Sequence, residues 1–387
     1  MSIAMVTEAF PCPETIWLAE VLRGEPRWPP QNMDKNAIQR VLTAANSNDV
    51  QELLFTKLHS NSIWEQLPDR LRQRLHDAHR HAIARELFLQ EETAKDLDAL
   101  AAAGIDVLLL KGTALAYNLY ASPALRPRRD VDLLMHDKST AHKAWHLLEQ
   151  RGYTRGDAIG GDLISHEYCC ARKVPPSAGV VLDVHWKLSN SHFFAQKFSY
   201  DELRCKRVPV PMLGSGAYAL GAVHALIHAL FHRAWSLGGN EPDRLIWLYD
   251  IDLLCRHLSR EQWDEFALLV ATRDLGPICR EGLERARECY NTPIPGEIFA
   301  HLKPQHPRSN RQLELMRPGP GRVLYEIQSL GSWRSRLRYL RGHLFPSRHY
   351  MQQRFGADRG PALIFAYLRR GWGGIKKRAL TWQRSLR

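Results

Sequence analysis

The spacing of apolar residues predicts helices along most of the first hundred residues. Leucine, isoleucine and alanine recur there at intervals of three and four, as on the buried side of an amphipathic helix. Proline and glycine between residues 24 and 31 interrupt the pattern. Residues 1–104 carry no chemical motif, and we expect a helical N-terminal region that acts as a lid or docking module. Its predicted helices are Glu14–Leu22, Lys35–Ala45, Asp49–His59 and Pro68–Ala103.

The pattern changes at residue 105, where a short apolar run predicts a buried strand. Ile105–Leu110 is continuous and partly β-branched, and the run stops at Gly112. Thr113 is a suitable N-cap for a helix over Ala114–Tyr120. A helix N-terminus offers free N–H groups to an anion, so Lys111, Gly112 and Thr113 are candidates to bind nucleotide phosphates. The loop is not a Walker A motif, because its lysine precedes the glycine.

Two aspartates follow on a second predicted strand. Alternate side chains of a strand share a face, so Asp130 and Asp132 project to the same side. The two carboxylates repel each other, and a divalent cation between them, best Mg²⁺, relieves that repulsion. Substitution of either aspartate by Asn should remove repulsion without disturbing the packing. Arg126, Arg128 and Arg129 precede the pair; an arginine here can bind phosphate, and at least one only solvates the loop.

A third carboxylate interrupts another β-like run, Gly179–Trp186. Asp183 stands where a buried strand normally carries valine or leucine, so it needs a partner. If this strand lies beside the one with Asp130 and Asp132, three carboxylates converge and can hold two metal ions. His185 shares the face of Asp183 and would contact substrate or orient a ligand. The alternatives are a solvated aspartate pair on the second strand and a paired core carboxylate on the third.

Three histidines recur at intervals of four on one predicted helix. His224, His228 and His232 therefore lie on one face, a spacing that can bind zinc. The glutamate of the HExxH motif is missing, which favours buried or hydrogen-bonded histidines instead. We expect His228 and His232 to meet Asp250 of the next helix and to support the wall of a substrate cleft.

Several segments together resemble a known family. They are LLKGTALAYNLY, RPRRDVDLLM and LLEQRGY between Leu108 and Tyr153, then LDVHW, HALIHALFHRAW, RLIWLYDIDLL and LFPSRHYMQQRFG. After about residue 85 most of the chain resembles the bacterial uncharacterised nucleotidyltransferases of the DNA polymerase β-like superfamily. The resemblance implies that Gly112 and Thr113 contact the phosphates of a nucleoside triphosphate and that Asp130, Asp132 and Asp183 hold metal. The chain departs from the usual signature in having Gly-Thr and a long interval before the acidic pair.

The predicted fold class is α+β. A polymerase β-like nucleotidyltransferase core, with a small mixed sheet and flanking helices, is expected between N-terminal and C-terminal helical regions. The predicted regions are residues 1–104 (helical), 105–210 (nucleotidyltransferase core), 211–302 (helical domain) and 308–387 (basic aromatic tail), with a linker over 303–310. The Pro-rich segment VPVPMLGSG at 208–216 closes the core.

Positive charge is concentrated in the tail. Residues Arg308–Arg387 contain 18 Lys and Arg against three acidic residues, an excess larger than the net charge of +12 for the whole chain. Runs such as SWRSRLRYLRGHLF mix arginine with Trp, Tyr, Leu and Phe, which predicts an interfacial helix on an anionic membrane surface. The alternatives are binding of nucleic-acid phosphates and a basic helix packed on the core.

Cysteine usage indicates the compartment. The seven cysteines form neither a CxxC pair nor a disulfide framework, which predicts reduced thiols, and Cys169 and Cys170 are expected to be buried filler. No signal peptide or membrane-spanning run is recognisable. We therefore expect a cytoplasmic protein, peripheral to the inner face of the membrane.

The predicted function is metal-dependent transfer of a nucleoside monophosphate from a nucleoside triphosphate to an acceptor, with release of pyrophosphate. Two Mg²⁺ ions on the three aspartates would assist, and Lys111 and Arg129 would be secondary phosphate contacts. The basic aromatic tail fits a lipid-linked acceptor, and the resemblance implies a role in exopolysaccharide or natural-product biosynthesis, so the leading acceptor is a small molecule or glycolipid. The alternatives are AMP transfer to a protein hydroxyl, a catalytically silent nucleotide-binding scaffold at the membrane, and a nucleic-acid binder acting through the tail.

Overall fold

Helices occupy most of the described chain before residue 103, as the apolar periodicity predicts. The computed structural model describes residues 12–25, 36–156, 163–175, 179–304, 306, 309–346, 351–352, 355–356 and 362–369. The first helices are α1 (Pro13–Arg23), α2 (Ala37–Ser47), α3 (Gln51–His59) and the long α4 (Asp69–Ala102). The predicted helix start at Lys35 lies outside the described residues, as do residues 370–387 of the basic tail and parts of the predicted linker.

An α/β segment follows, and one local prediction about it is wrong. Helix α5 begins at Lys111 with Leu110 at the N-cap position, so Thr113 lies inside the first turn and caps nothing. Asp130 directly precedes its strand. The elements are β1 (Leu108–Leu110), α5 (Lys111–Asn118), β2 (Val131–Leu134), α6 (Lys138–Gln150), β3 (Thr154–Arg155), β4 (Glu167–Arg172), β5 (Val180–His185), α7 (His192–Ala195), α8 (Tyr200–Cys205), β6 (Val208–Pro209) and β7 (Tyr218–Ala219).

The strands of the described chain form one mixed sheet in the order β3-β4-β5-β2-β1-β7-β6. Strand β2 lies at its centre, antiparallel to β1 and parallel to β5. Strand β4 runs antiparallel along β5, and β7 is parallel to β1. This mixed sheet with flanking helices confirms the predicted α+β class. The sequence analysis missed β4, and the predicted Pro-rich turn contains the short edge strand β6.

The two faces of the sheet differ in chemistry. Leu109 and Leu133 belong to an apolar layer that also contains buried residues of α4 and α6. The opposite face carries Asp132 and Asp183, in register with each other on β2 and β5. Leu110 lies on this second face and belongs to the core that the helices after residue 220 also form. The carboxylates are therefore held between the sheet and a helical layer.

Helices form the remainder of the described chain. Arg233 is almost completely buried on α9 and binds Asp243 and Glu281, each at 2.6 Å, which ties α9 to α12. Among the described residues no helix is both long and apolar enough to cross a bilayer. The proposed division of the chain at residues 104, 210 and 302 stays a prediction. The helices are α9 (Ala222–Gly238), α10 (Leu245–His257), α11 (Arg260–Thr272), α12 (Gly276–Tyr290), α13 (Ile298–His301), α14 (Pro320–Ser329) and α15 (Trp333–Leu344).

Candidate functional site

A lysine at the start of α5 lies against the acidic face of the sheet. Leu110, the last residue of β1, is opposite Asp132 in the antiparallel pairing with β2. The next residue, Lys111, has a φ of 48°, in the left-handed region that few residues other than glycine adopt. Its Nζ lies 2.6 Å from Oδ1 of Asp132, a residue that is only 2% exposed. A cation and a carboxylate are thus paired at the centre of the sheet.

Strand β5 adds a second carboxylate beside the first. Asp132 and Asp183 are direct partners in the parallel pairing of β2 with β5. A carboxylate oxygen of Asp132, a carboxylate oxygen of Asp183 and a ring nitrogen of His185 all lie within 4.8 Å of one another. Oδ1 of Asp183 is buried and accepts no hydrogen bond from the described residues. A buried carboxylate oxygen without a donor is costly, and a bound cation would remove that cost.

His185 lies between two carboxylates. Its Nε2 is 2.9 Å from Oδ1 of Asp132, and its Nδ1 is 3.0 Å from Oε2 of Glu167, although the latter contact lacks hydrogen-bond geometry. Burial by itself lowers the pKa of His185, but the charges of Glu167 and Asp132 outweigh it and raise that pKa. The imidazole therefore tends to carry a proton in this site.

Asp130 stands beside this group and titrates abnormally. It is half-buried, and the pKa of its carboxyl is raised to about 6 by burial and by the charges of Asp132 and Asp183. Burial also raises the pKa of Asp132, but Lys111 and His185 outweigh it and hold that pKa far below its usual range. Lys111 and His185 thus compensate the charge of Asp130 only in part.

These residues fit a divalent metal. The orphaned oxygen of Asp183 and the repulsion recorded at Asp130 both indicate too little positive charge on this face. Carboxylate oxygens are the donors that Mg²⁺ prefers. The imidazole of His185 can join them as a ligand only after it loses the proton that Asp132 and Glu167 stabilise. The cluster of possible ligands contains His185 in the place that the sequence analysis gave to Asp130.

Comparison with known proteins identifies the family. Residues 34–291 match the family model described as "Uncharacterised nucleotidyltransferase". The chain belongs to this nucleotidyltransferase family. The match includes α2, α3 and the first half of α4, which the expected resemblance after residue 85 left out. It ends before the LFPSRHYMQQRFG segment. Family membership supports a nucleotidyltransferase enzyme that takes a nucleoside triphosphate.

The solved structures that match this chain are only distantly similar to it. An antigenic nucleotidyltransferase-like protein from Paracoccidioides brasiliensis is 17% identical, with a TM-score of 0.31, over 50% of this chain and 92% of that protein. JHP933 from Helicobacter pylori is 14% identical, with a TM-score of 0.30, over 64% of this chain and 95% of that protein. No curated protein matches the sequence.

The predicted phosphate contacts of this nucleotidyltransferase differ in accessibility. Gly112 is buried, and a side chain added there would meet the guanidinium of Arg126 at 3.4 Å. Thr113 is completely buried, and its hydroxyl has no hydrogen-bond partner among the described residues. Arg129 is exposed beside the acidic face, and no ion pair to it is found in the described chain. The phosphate-binding roles of these residues and of Lys111 stay predictions.

The other two loop arginines of the nucleotidyltransferase have structural partners. Arg128 binds Glu86 of α4 through both terminal nitrogens, at 2.6 and 2.8 Å. Arg126 binds Asp250 of α10, with Nη2 2.7 Å from Oδ2, and Tyr120 donates a hydrogen bond to the same carboxylate at 2.6 Å. Both arginines therefore hold the loop to neighbouring helices.

This ion pair corrects the prediction that histidines meet Asp250. His228 and His232 line a small cavity together with Lys111 and Asp250, but the carboxylate is occupied by Arg126 and Tyr120. A guanidinium is preferred there because it donates two parallel hydrogen bonds. Burial and the charge of Lys111 lower the pKa of His228 to about 3, so this imidazole is neutral. His232 packs edge-on against Trp247, and the α9 histidines form no metal-ligand group in the described structure.

The sequence analysis missed Glu167 on β4. This strand shows little alternation of apolar and polar residues, and only its pairing places Glu167 opposite His185.

The same register places Cys169 opposite Asp183, where partial burial and that carboxylate raise the thiol pKa to about 12. Cys170 is buried in the core as expected. Cys169 keeps much of its surface exposed, so the prediction that it is a buried core residue is wrong. All seven cysteines are free thiols, as predicted.

Proposed function

We propose that this nucleotidyltransferase moves a nucleoside monophosphate from a nucleoside triphosphate to an acceptor hydroxyl at the acidic face of the sheet. The observation that carries the proposal is the register that pairs Asp132 with Asp183 and sets Leu110 opposite Asp132. It gathers carboxylates from β2 and β5 at the N-terminus of α5, where an anionic substrate is stabilised by the helix dipole.

The reaction needs a bond to form and a bond to break at one phosphorus. The acceptor oxygen attacks the α-phosphorus, and the bond between that phosphorus and the bridging oxygen to the β-phosphate breaks, so pyrophosphate leaves. Two bound Mg²⁺ ions would supply charge neutralisation for the triphosphate and would acidify the acceptor hydroxyl. Asp130, Asp132 and Asp183 are the residues that would hold them.

The cationic residues have separate tasks in this proposal. Lys111 is 2.6 Å from Asp132 and can turn to a phosphate oxygen once another cation neutralises the aspartate. Arg129 is exposed at the edge of the site, where a guanidinium can bind the β- or γ-phosphate. Asp183 is the strand partner of Asp132 and has an oxygen without a hydrogen-bond donor, and this carboxylate would accept the acceptor proton.

The proposed acceptor class is a small molecule or glycolipid, as in exopolysaccharide or natural-product biosynthesis, with a protein hydroxyl as the alternative. A catalytically silent nucleotide-binding scaffold is the second candidate function. One observation favours it: Asp132 is already paired with Lys111 and His185, so the site is partly neutralised without metal.

The test is pyrophosphate release from each of the four nucleoside triphosphates, with and without Mg²⁺, in the presence of cell extract as the source of acceptor. We expect Mg²⁺-dependent release that Asp183→Asn abolishes. Asp264→Asn is the matched control, because Asp264 is exposed on α11 away from the sheet. Triphosphate binding without release in any extract would favour the scaffold, and no binding at all would remove both proposals.

A further inference from the structure

Helix α15 exposes four large apolar side chains in a single stripe. Trp333, Leu337, Leu340 and Leu344 are 68%, 60%, 39% and 63% exposed. At 100° per residue these positions fall within about 60° of the helix circumference. Isolated apolar residues on a surface are ordinary, but a continuous stripe of this size marks an interaction surface.

The opposite side of α15 attaches the helix to the protein. Tyr339 is buried, and its ring meets that of His192 edge-on with 5.4 Å between centroids. The preceding helix, α14, is held by Glu326, which accepts hydrogen bonds from the backbone N–H of His192 at 2.7 Å and from the hydroxyl of Ser191. The apolar stripe is therefore turned away from the core by a defined contact.

Arginines flank the stripe on both sides. Arg334, Arg338 and Arg341 lie along one flank and Arg336 along the other, and all are exposed. None of these arginines forms an ion pair with a carboxylate of the described residues, and α15 itself contains no acidic residue. Their positive charge is thus available to an anionic surface.

A second helical stretch, residues 362–369, shows the same combination. Ile364, Phe365 and Leu368 are exposed, and Arg369 adjoins them. Ala366 is buried on the other side of this stretch, against Met351. The tail thus presents apolar residues and arginines twice.

We propose that α15 lies in the interface of an anionic phospholipid bilayer, with its apolar stripe among the acyl chains and its arginines at the lipid phosphates. Long arginine side chains can reach the headgroups from a helix buried at this depth. Nucleic acid would use the arginines and leave the leucines exposed, so it fits the surface less well. A second copy of the chain would bring arginine-rich helices together, and their like charges would repel.

The experiment is flotation of the full-length protein with vesicles of phosphatidylcholine, with and without phosphatidylglycerol. We expect binding only to the vesicles that contain phosphatidylglycerol. The double variant Leu337→Ser with Leu344→Ser should lose at least about tenfold in affinity, since two leucines no longer enter the interface. The matched control is Leu87→Ser with Leu268→Ser, because both leucines are 63% exposed on other helices. This control should bind like the wild type.

A charge variant separates the electrostatic part. Arg334→Gln with Arg338→Gln should weaken binding by about fivefold per arginine and reduce its salt dependence. Arg70→Gln with Arg74→Gln, an exposed pair at the same spacing on α4, should leave binding unchanged.

Three results would overturn the proposal. The first is equal binding to both kinds of vesicle, and the second is full binding of the leucine variant to vesicles with phosphatidylglycerol. The third is that the wild type binds no vesicles but associates with itself or with nucleic acid, and that the leucine variant loses this association. The metal site is tested independently, because Asp183→Asn should float with vesicles like the wild type.

Discussion

The Nζ of Lys111 lies 2.6 Å from Oδ1 of Asp132, so a side-chain cation occupies one side of the carboxylate that is expected to bind metal. His185 approaches the same oxygen at 2.9 Å. Asp132 is therefore the counter-ion of the buried His185 and the partly buried Lys111. Asp130 and Asp183 have raised pKa values, because burial and the neighbouring carboxylates outweigh the weaker compensation that they receive. Substitution of these neighbouring aspartates should therefore change the stability of the protein in different directions.

Asp132→Asn should destabilise the protein, contrary to the expectation from sequence that removing a repelling charge leaves the fold intact. The substitution takes the carboxylate partner from the buried His185 and the partly buried Lys111, which costs about 3 kcal/mol of unfolding free energy. Urea unfolding with a chelator measures this cost. Adding Lys111→Met should recover part of it, whereas Asp264→Asn alone should change stability little. Equal stability of Asp132→Asn and the wild type would show that the ion pair contributes nothing.

Asp130→Asn should stabilise the protein without metal, and only above mildly acidic pH. The folded pKa of Asp130, about 6, is above its unfolded value, so the folded state binds the proton more tightly. Ionising Asp130 in the folded state therefore lowers the unfolding free energy. This loss is absent below the unfolded pKa of the aspartate, grows as the pH rises toward 6, and is complete above pH 6. Removing the charge should raise the unfolding free energy at neutral pH by about 3 kcal/mol. Thermal unfolding across this pH range, with and without Mg²⁺, tests the prediction; with Mg²⁺ the gain should vanish.

Glu167→Gln should lower the pKa of His185. Glu167 contributes to the raised pKa of this imidazole, and its Oε2 is 3.0 Å from Nδ1. Stability contributed by the protonated imidazole is complete below the unfolded histidine pKa and is lost as the pH rises through the folded value. In the variant this loss should occur at lower pH. An NMR titration of the His185 ring protons measures the shift, and Glu65→Gln, exposed before α4, should leave the curve in place. An unchanged curve in Glu167→Gln would remove Glu167 from the site.

Arg126→Gln and Arg129→Gln should separate folding from substrate binding. Arg126→Gln leaves the carboxylate of Asp250 buried with only Tyr120 as donor, which should cost about 3 kcal/mol of unfolding free energy. Arg129→Gln should leave stability within about 0.5 kcal/mol of the wild type, because Arg129 is exposed. It should raise the KM for the triphosphate if Arg129 binds phosphate. The opposite pattern, with stability lost in Arg129→Gln, would contradict the assignment of both residues.

The local pattern of the chain was sufficient for several predictions. Leucine spacing predicted the helices before residue 103, and the apolar run at Ile105–Leu110 predicted β1. Alternation along a strand predicted that Asp130 and Asp132 share one side. The structure places Asp130 directly before β2, and its part in the site stays a prediction. Thr113 failed as an N-cap because helix α5 begins two residues earlier, at Lys111, and nothing in the side-chain sequence indicates that start.

The sequence by itself determined most of the helices, strand β1 and the strands that carry Asp132 and Asp183, since these depend on periodicity within a few positions. It did not determine β4 or the Glu167 that β4 carries. Only the tertiary structure decided which charges meet. Arg126 and Asp250 are 124 residues apart, and Lys111 and Asp132 are 21 apart, so their pairing depends on how strands and helices pack. The same is true of Glu167 and His185, which come together through the register of β4 with β5. Strand register and burial in a common interior determine which charged side chains pair, because a buried charge is tolerated only where the fold supplies an opposite charge.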